Sequence, residues 1–348
     1  MKIAILTRPQ NASPKILAYS LRAMLERLGV EATVFEEALP MLGRLFPLTA
    51  KIRYTIDLHY RIREKLRYWS RDRAIVKELA KYDALIVSEC CPNAFWRGYY
   101  DIEGFRRLLL GLPILYYEVY YLGCAPTRLE RLQANRDYGI ERYDWHLSVS
   151  PVNEVRLPEG PPWSAIGLDL RSAGLGPSKK PGFNVLVDFA QPGYERERED
   201  QLAVLQQVGI KPMILSGSYE IANIREQYNE ASVILMQFPE SFGVSLAECL
   251  ATGAYVFTPD SGWPMSFRLN SNPTVHGPGE LPECFVTYNS RDDLKQKLLN
   301  LRSRYDSETE PFKVFEVFRK HYSSFYEGNL SGLKAALDKI REDTVCAR

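Results

Sequence analysis

The chain of 348 residues is long enough for two domains, each with its own core, and its 45% hydrophobic and 25% charged residues are the composition of a globular protein. A net charge of +1 excludes any global attraction to nucleic acid, so charge arguments must be local. No apolar run reaches the roughly 20 residues needed to span a bilayer.

Lys2–Thr7 is too short for a secretory apolar region and reads as a first strand. Apolar spacing at Ile16, Leu17, Leu21, Met24, Leu25 and Leu28 predicts a helix over Pro14–Leu28, stopped by Gly29. Glu31–Phe35 is a short strand, and a basic helical region runs from about Thr49 to Ala80. Ala84–Ser88, Pro113–Glu118 and Trp145–Ser150 are apolar enough for buried parallel strands. The stretch 171–182, rich in Gly, Pro and Ser, reads as a linker, after which the pattern restarts. Strands are expected at Asn184–Phe189, Pro212–Ser216, Ser232–Met236 and Ala254–Thr258. Helices are expected around Asp200–Val208, Ile221–Asn229 and Ser290–Leu301, with Ser290 as N-cap, and over 310–326 and 329–341. Such alternation predicts an α/β chain of two Rossmann-like, doubly wound domains. The expected division is 1–170, a linker 171–182, 183–310, and terminal helices 311–348 that cross back to the first domain. Two such domains facing across a cleft put a small-molecule site in the cleft.

Cys90, Cys91, Cys124, Cys249, Cys284 and Cys346 form no C-x-x-C, which suggests free thiols in a reducing cytoplasm. The four histidines lie far apart in sequence and suggest no zinc site.

The most informative stretch is Phe238–Asp260, FPESFGVSLAECLATGAYVFTPD. It sets Glu240 and Glu248 around a Phe242-Gly243 turn, between one apolar strand and a helix that stops at Gly253. A turn at the carboxyl end of a parallel strand is where open α/β sheets bind ligands. The helix beginning there directs N–H groups and a positive dipole end at the turn, which suits a phosphate. On the residues alone, Glu240 could equally be an acidic helix-start residue, and Glu248 a solvated one.

The stretch resembles the E-x7-E signature of retaining GT-B glycosyltransferases of family 4, and its E-S-F-G form resembles the phosphatidylinositol mannosyltransferases. Ala165–Asp169, Tyr228–Ser232 and Asp260–Gly262 are similar to further motifs of that family. The resemblance implies a GT-B fold and transfer of a sugar from a nucleotide-sugar donor to an acceptor hydroxyl, with retention, without metal or cofactor. It implies that Glu240 contacts the donor sugar and that Glu248 holds the nucleotide ribose. Backbone amides of Phe242, Gly243, Val244 and Ser245 would meet the sugar and the diphosphate, and Ser241 is a further donor-binding candidate.

The chain departs from the family at three places. Arg8–Ser13 follows strand one where a Gly-Gly loop is usual. Asp188–Arg198 lacks the expected phosphate-binding Arg; Arg196 and Arg198 are the substitutes, and E-R-E-R-E also reads as a solvated helix start. Glu118 stands where relatives place a His, as a catalytic candidate near the sugar or as a plain strand-end residue.

Between Arg44 and Lys77, ten Lys or Arg stand against Asp57, Glu64 and Asp72, a local excess of +7 interleaved with aromatics. That pattern fits an anionic membrane surface, or a helix whose basic stems cover the domain. No base-reading motif accompanies it, so nucleic acid is not an expected partner. The reading is a glycosyltransferase, cytoplasmic or peripheral at the inner membrane face, acting on a glycan, lipid-linked or small-molecule acceptor. A catalytically silent GT-B binding protein and a nucleotide-sugar epimerase-like enzyme are the alternatives.

Overall fold

The computed structural model describes residues 1–7, 12–36, 76–88, 102, 106, 109–119, 142–151, 162–217, 220–237, 240, 242–259, 265–269 and 280–346. The chain divides into two compact units. One comprises Met1–Val149, Val155–Ile166 and Asn329–Arg348; the other comprises Ser150–Glu154 and Gly167–Gly328.

Among the described residues the first unit holds six parallel strands: β1 (Lys2–Thr7), β2 (Glu31–Phe35), β3 (Ala84–Ser88), β4 (Ile114–Glu118), β5 (Trp145–Ser148) and β6 (Trp163–Ala165). Their spatial order is β2-β1-β3-β4-β5-β6. β1, β3 and β4 are apolar through their middles and buried at every position but Lys2, because a parallel sheet covered on both faces leaves its strands little access to water. Ala4, Leu6, Leu85, Val87, Ile114 and Tyr116 line one face and meet Tyr143. Helix α1 (Ala12–Arg27) buries Leu17, Leu21, Met24 and Leu25, and the chain turns away at Gly29 in the left-handed region. The chain leaves this unit at Ile166 and re-enters it at Asn329, whose side-chain amide donates to the Ala165 carbonyl at 2.9 Å.

The second unit holds β7 (Val185–Val187), β8 (Met213–Ile214), β9 (Val233–Leu235), β10 (Tyr255–Pro259) and β11 (Phe285–Tyr288), all parallel, in the order β11-β10-β9-β7-β8. Its helices are α2 (Glu195–Gln207), α3 (Ile221–Glu230), α4 (Val244–Ala251), α5 (Arg291–Arg304) and α6 (Glu310–Glu327). A last helix, α7 (Leu330–Cys346), belongs to the first unit and lies beside β6. Ser290 caps α5 as expected, its hydroxyl accepting from the Asp293 amide at 3.2 Å.

The Gly/Pro/Ser-rich segment 171–182 lies against the second unit. Leu175 is buried, its carbonyl accepting from the Tyr326 hydroxyl at 2.9 Å. Lys180 is 4% exposed and donates to the carbonyls of Asn229 and Thr252, both at 2.8 Å, at the carboxyl ends of α3 and α4. Burial lowers its pKa to about 8.

An aromatic cluster ties the motif turn to the end of the unit. Phe242 is fully buried, stacked on Phe267 at 5.5 Å and edge-on to Phe325 of α6 at 4.8 Å. Tyr322 has non-helical angles inside α6 and donates its hydroxyl to the Phe267 carbonyl.

Candidate functional site

The site is built where the second sheet changes winding direction. From β7 the chain first adds β8 on one side, then β9 on the other. At such a switch point the two connections part and leave a crevice at the carboxyl ends of the strands. Asp188 follows β7, and Gln237 and Glu240 follow β9. Because Val187 lies opposite Leu235, the two strand ends are adjacent, and the Asp188 amide donates to the Leu235 carbonyl at 3.3 Å.

The motif turn carries the geometry expected of it. Gly243 precedes α4 with φ +60°, and a Cβ there would collide with Glu240 Cγ and come within 3.0 Å of Leu246. The Gly243 amide donates to the Glu240 carboxylate, so Glu240 also serves the helix start. Val244 is buried and Ser245 half-buried; Ser241 lies outside the described residues. The Phe242 ring is committed to the aromatic cluster, which leaves only its backbone for a ligand.

Burial raises Asp188 to about 6, against the Phe189 amide and the Arg198 charge. Burial, reinforced by the negative charge of Asp188, raises Glu240 to about 7. Glu240 therefore senses the charge of Asp188, and burial makes both carboxyl groups hold their charges reluctantly.

Arg198 turns inward from α2 and donates to the backbone carbonyls of Asp188 and Leu215, the second at 3.2 Å. Arg196 points outward and is exposed. The E-R-E-R-E run is thus the first turns of α2, with Arg198 brought to the strand ends and Arg196 not.

Glu248 is 2% exposed on α4, a helix buried almost all round. Arg225 on α3 donates from Nε at 2.9 Å and Nη2 at 2.6 Å, both to Glu248 Oε1. Burial raises the Glu248 pKa and Arg225 opposes the rise.

Glu118 belongs to the first unit. It ends β4, is 2% exposed, accepts from the Tyr116 hydroxyl at 3.3 Å, and has His146 Nε2 3.4 Å from its Oε1. The β4–β5 register explains the meeting, since Tyr116 lies opposite His146.

Asp188, Arg225, Gln237 and His146 were not singled out by sequence reasoning. The signal available for Asp188 was a carboxylate closing an apolar strand, as at Glu118. Among the described residues no group of three or more His, Cys, Asp or Glu could hold a metal, and no described helix is long and apolar enough to cross a membrane. Residues 8–11, and all but Val76 and Lys77 of the basic stretch 44–77, lie outside the described residues.

No protein-family model matches the chain, and no curated protein sequence does. Solved structures do. Anabaena Alr3699/HepE in complex with UDP and glucose is similar with a TM-score of 0.52 at 12% identity, over 99% of this chain and 100% of that one. An alpha-glucosyltransferase (AGT) in complex with UDP is similar with a TM-score of 0.56 at 12% identity, over 98% of this chain and 100% of that one. These likenesses show the fold: two parallel-sheet α/β domains arranged in sequence as in the GT-B fold.

Proposed function

We propose that this chain is a glycosyltransferase that moves a sugar from a nucleotide-sugar donor to an acceptor hydroxyl, with retention of configuration and without metal or cofactor, in the manner of family 4. One observation carries the reading: Glu240, Gly243 and the start of α4 stand at the switch point of the second parallel sheet.

In this reading Glu240 orients the donor sugar through its hydroxyls. The free amides at the start of α4, from Val244 and Ser245, face the diphosphate, where the helix dipole stabilises the charge that grows as the bond breaks. Glu248 holds the ribose with Oε2 while Arg225 fixes Oε1. Arg198 is the cation retained near the phosphates. UDP-sugars are the first donors to test, because both similar structures contain UDP. The acceptor is a glycan, a lipid-linked sugar or a small molecule, and the basic stretch 44–77 is the proposed contact with an anionic membrane at the cytoplasmic face. Glu118 is the proposed polar contact of the first unit, held by His146.

The test is Glu240→Gln with a confirmed donor. Transfer is expected to be abolished while the fold and its melting transition survive; turnover like that of the wild type overturns the assignment.

A second reading, a catalytically silent GT-B scaffold kept as a partner or regulatory protein, is favoured by Asp188 standing at a strand end where a cation would serve a diphosphate. Calorimetry with nucleotides and nucleotide sugars separates the two, since a silent scaffold shows no donor binding.

A further inference from the structure

Three buried or half-buried acceptor groups gather where β7 and β9 end. The Asp188 carboxyl is 5% exposed, and Glu240 stands within range of its charge. Gln237 is 1% exposed; its amide nitrogen donates to the Asp188 carbonyl at 3.0 Å, and its Oε1 has no hydrogen-bond partner. A buried carbonyl oxygen without a donor is costly unless a ligand supplies one. Arg198 only partly balances these acceptors: its single charge, on a guanidinium that donates to the carbonyls of Asp188 and Leu215, stands against two carboxyl groups. These strand ends therefore offer acceptors and a net negative charge, and what fits them is a ligand rich in hydroxyl hydrogens.

We propose, resting on the donor-site reading above, that this site selects a neutral sugar with free hydroxyls and rejects a uronic acid, and that Asp188 is the residue that sets this selectivity. An ionised carboxylate only accepts hydrogen bonds. A sugar carboxylate placed there adds a like charge beside Asp188 and Glu240 and leaves Gln237 Oε1 without a donor. A neutral sugar meets the same groups with hydroxyl donors. Asp188 acts through direct contact with the sugar, and Glu240 shares that contact.

The test is titration calorimetry at pH 8 with donor pairs that differ only at C6: UDP-glucose against UDP-glucuronate, and GDP-mannose against GDP-mannuronate. Free UDP and GDP serve as references. The neutral member of the bound pair is expected to bind at least about tenfold more tightly to the wild type. In Asp188→Asn that gap is expected to narrow to about threefold or less, with the free nucleotide binding as before. Equal binding of both members by the wild type, or an unchanged gap in the variant, overturns the selectivity and leaves the donor site standing. No binding of any nucleotide or nucleotide sugar overturns the donor site and the selectivity together. Should Asp188→Asn fail to fold, Gln237→Met removes the other acceptor. It is expected to weaken the neutral donor several-fold and leave the uronate unchanged; an unchanged gap there also overturns the proposal.

Discussion

Arg225 and Glu248 form a two-pronged ion pair in which both guanidinium hydrogen bonds land on one carboxylate oxygen, at 2.9 and 2.6 Å. The pair joins α3 to α4, which pack side by side. Burial alone would push Glu248 toward its protonated form, and Arg225 resists that. The guanidinium is 21% exposed and the carboxylate 2%, so the cost of burial falls mostly on Glu248.

Removing one partner should therefore cost more than the pair is worth. Arg225→Met strands a buried carboxylate and is expected to destabilise the protein by about 3 kcal/mol near neutral pH. Lowering the pH lets Glu248 take up a proton, so the loss should shrink in acid. Adding Glu248→Met should restore most of the stability. Urea denaturation of the wild type, both single variants and the double variant measures this; a double variant no more stable than Arg225→Met refutes it.

Asp188 predicts a pH dependence of opposite benefit. Its folded pKa of about 6 lies above the ordinary 3.8, so the folded chain holds this proton more tightly than the unfolded one. The stabilisation is complete below the unfolded pKa and is lost as pH rises through about 6. Asp188→Asn should leave stability unchanged near pH 4 and raise it by up to about 3 kcal/mol at pH 8. Melting curves of both proteins across pH 4–8 should diverge over that window; parallel curves contradict it.

Lys180 has the reverse sign for a base. Its folded pKa of about 8 is below the ordinary 10.5, so the unfolded chain binds more protons between these values, and stability should rise with pH through that range. Lys180→Ala leaves the carbonyls of Asn229 and Thr252 without their donor. The expected loss at pH 7 is about 2 kcal/mol. Denaturation at pH 7 and pH 10 tests both statements; a variant that keeps wild-type stability at pH 7 refutes the capping role.

Two glycines of the motif should separate geometry from folding. Gly243→Ala sets a Cβ against the flexible Glu240 side chain at φ +60°, so the carboxylate must move. The expected result is a stability loss of about 1–2 kcal/mol with donor binding lost. Gly253→Ala sets a Cβ against the backbone of Pro311, 2.7 Å from its Cα, at φ +88°. Backbone cannot step aside, so this variant should lose more stability than Gly243→Ala. Melting temperatures and calorimetry of the two decide the order.

What could be read from the amino-acid order follows the range of the forces involved. The strands around the motif were legible because a strand buried on both faces needs an unbroken apolar run, as in Val233–Leu235 and Val256–Phe257. The Ser290 cap and the halt at Gly253 were legible because capping and left-handed turns act within a few residues. The start of α2 was placed late, at Asp200, because Glu195–Glu199 has no apolar residue to show helical spacing. The polar partners were not legible. Asp188 comes within range to act on Glu240 through its charge because β7 pairs with β9, and Glu118 meets His146 because β4 pairs with β5. Arg225 reaches Glu248 only after α3 and α4 settle side by side. Each of these contacts depends on sheet order or helix docking, which local spacing does not encode.

Phe242 has a bearing on how this turn can be altered. Its ring sits between Phe267 and Phe325, so the shape of the loop around Glu240 is inherited from residues far downstream. Transplanting the loop alone into another sheet would carry its chemistry without its mould. Redesign of this turn has to treat Phe242, Phe267 and Phe325 as one inherited block.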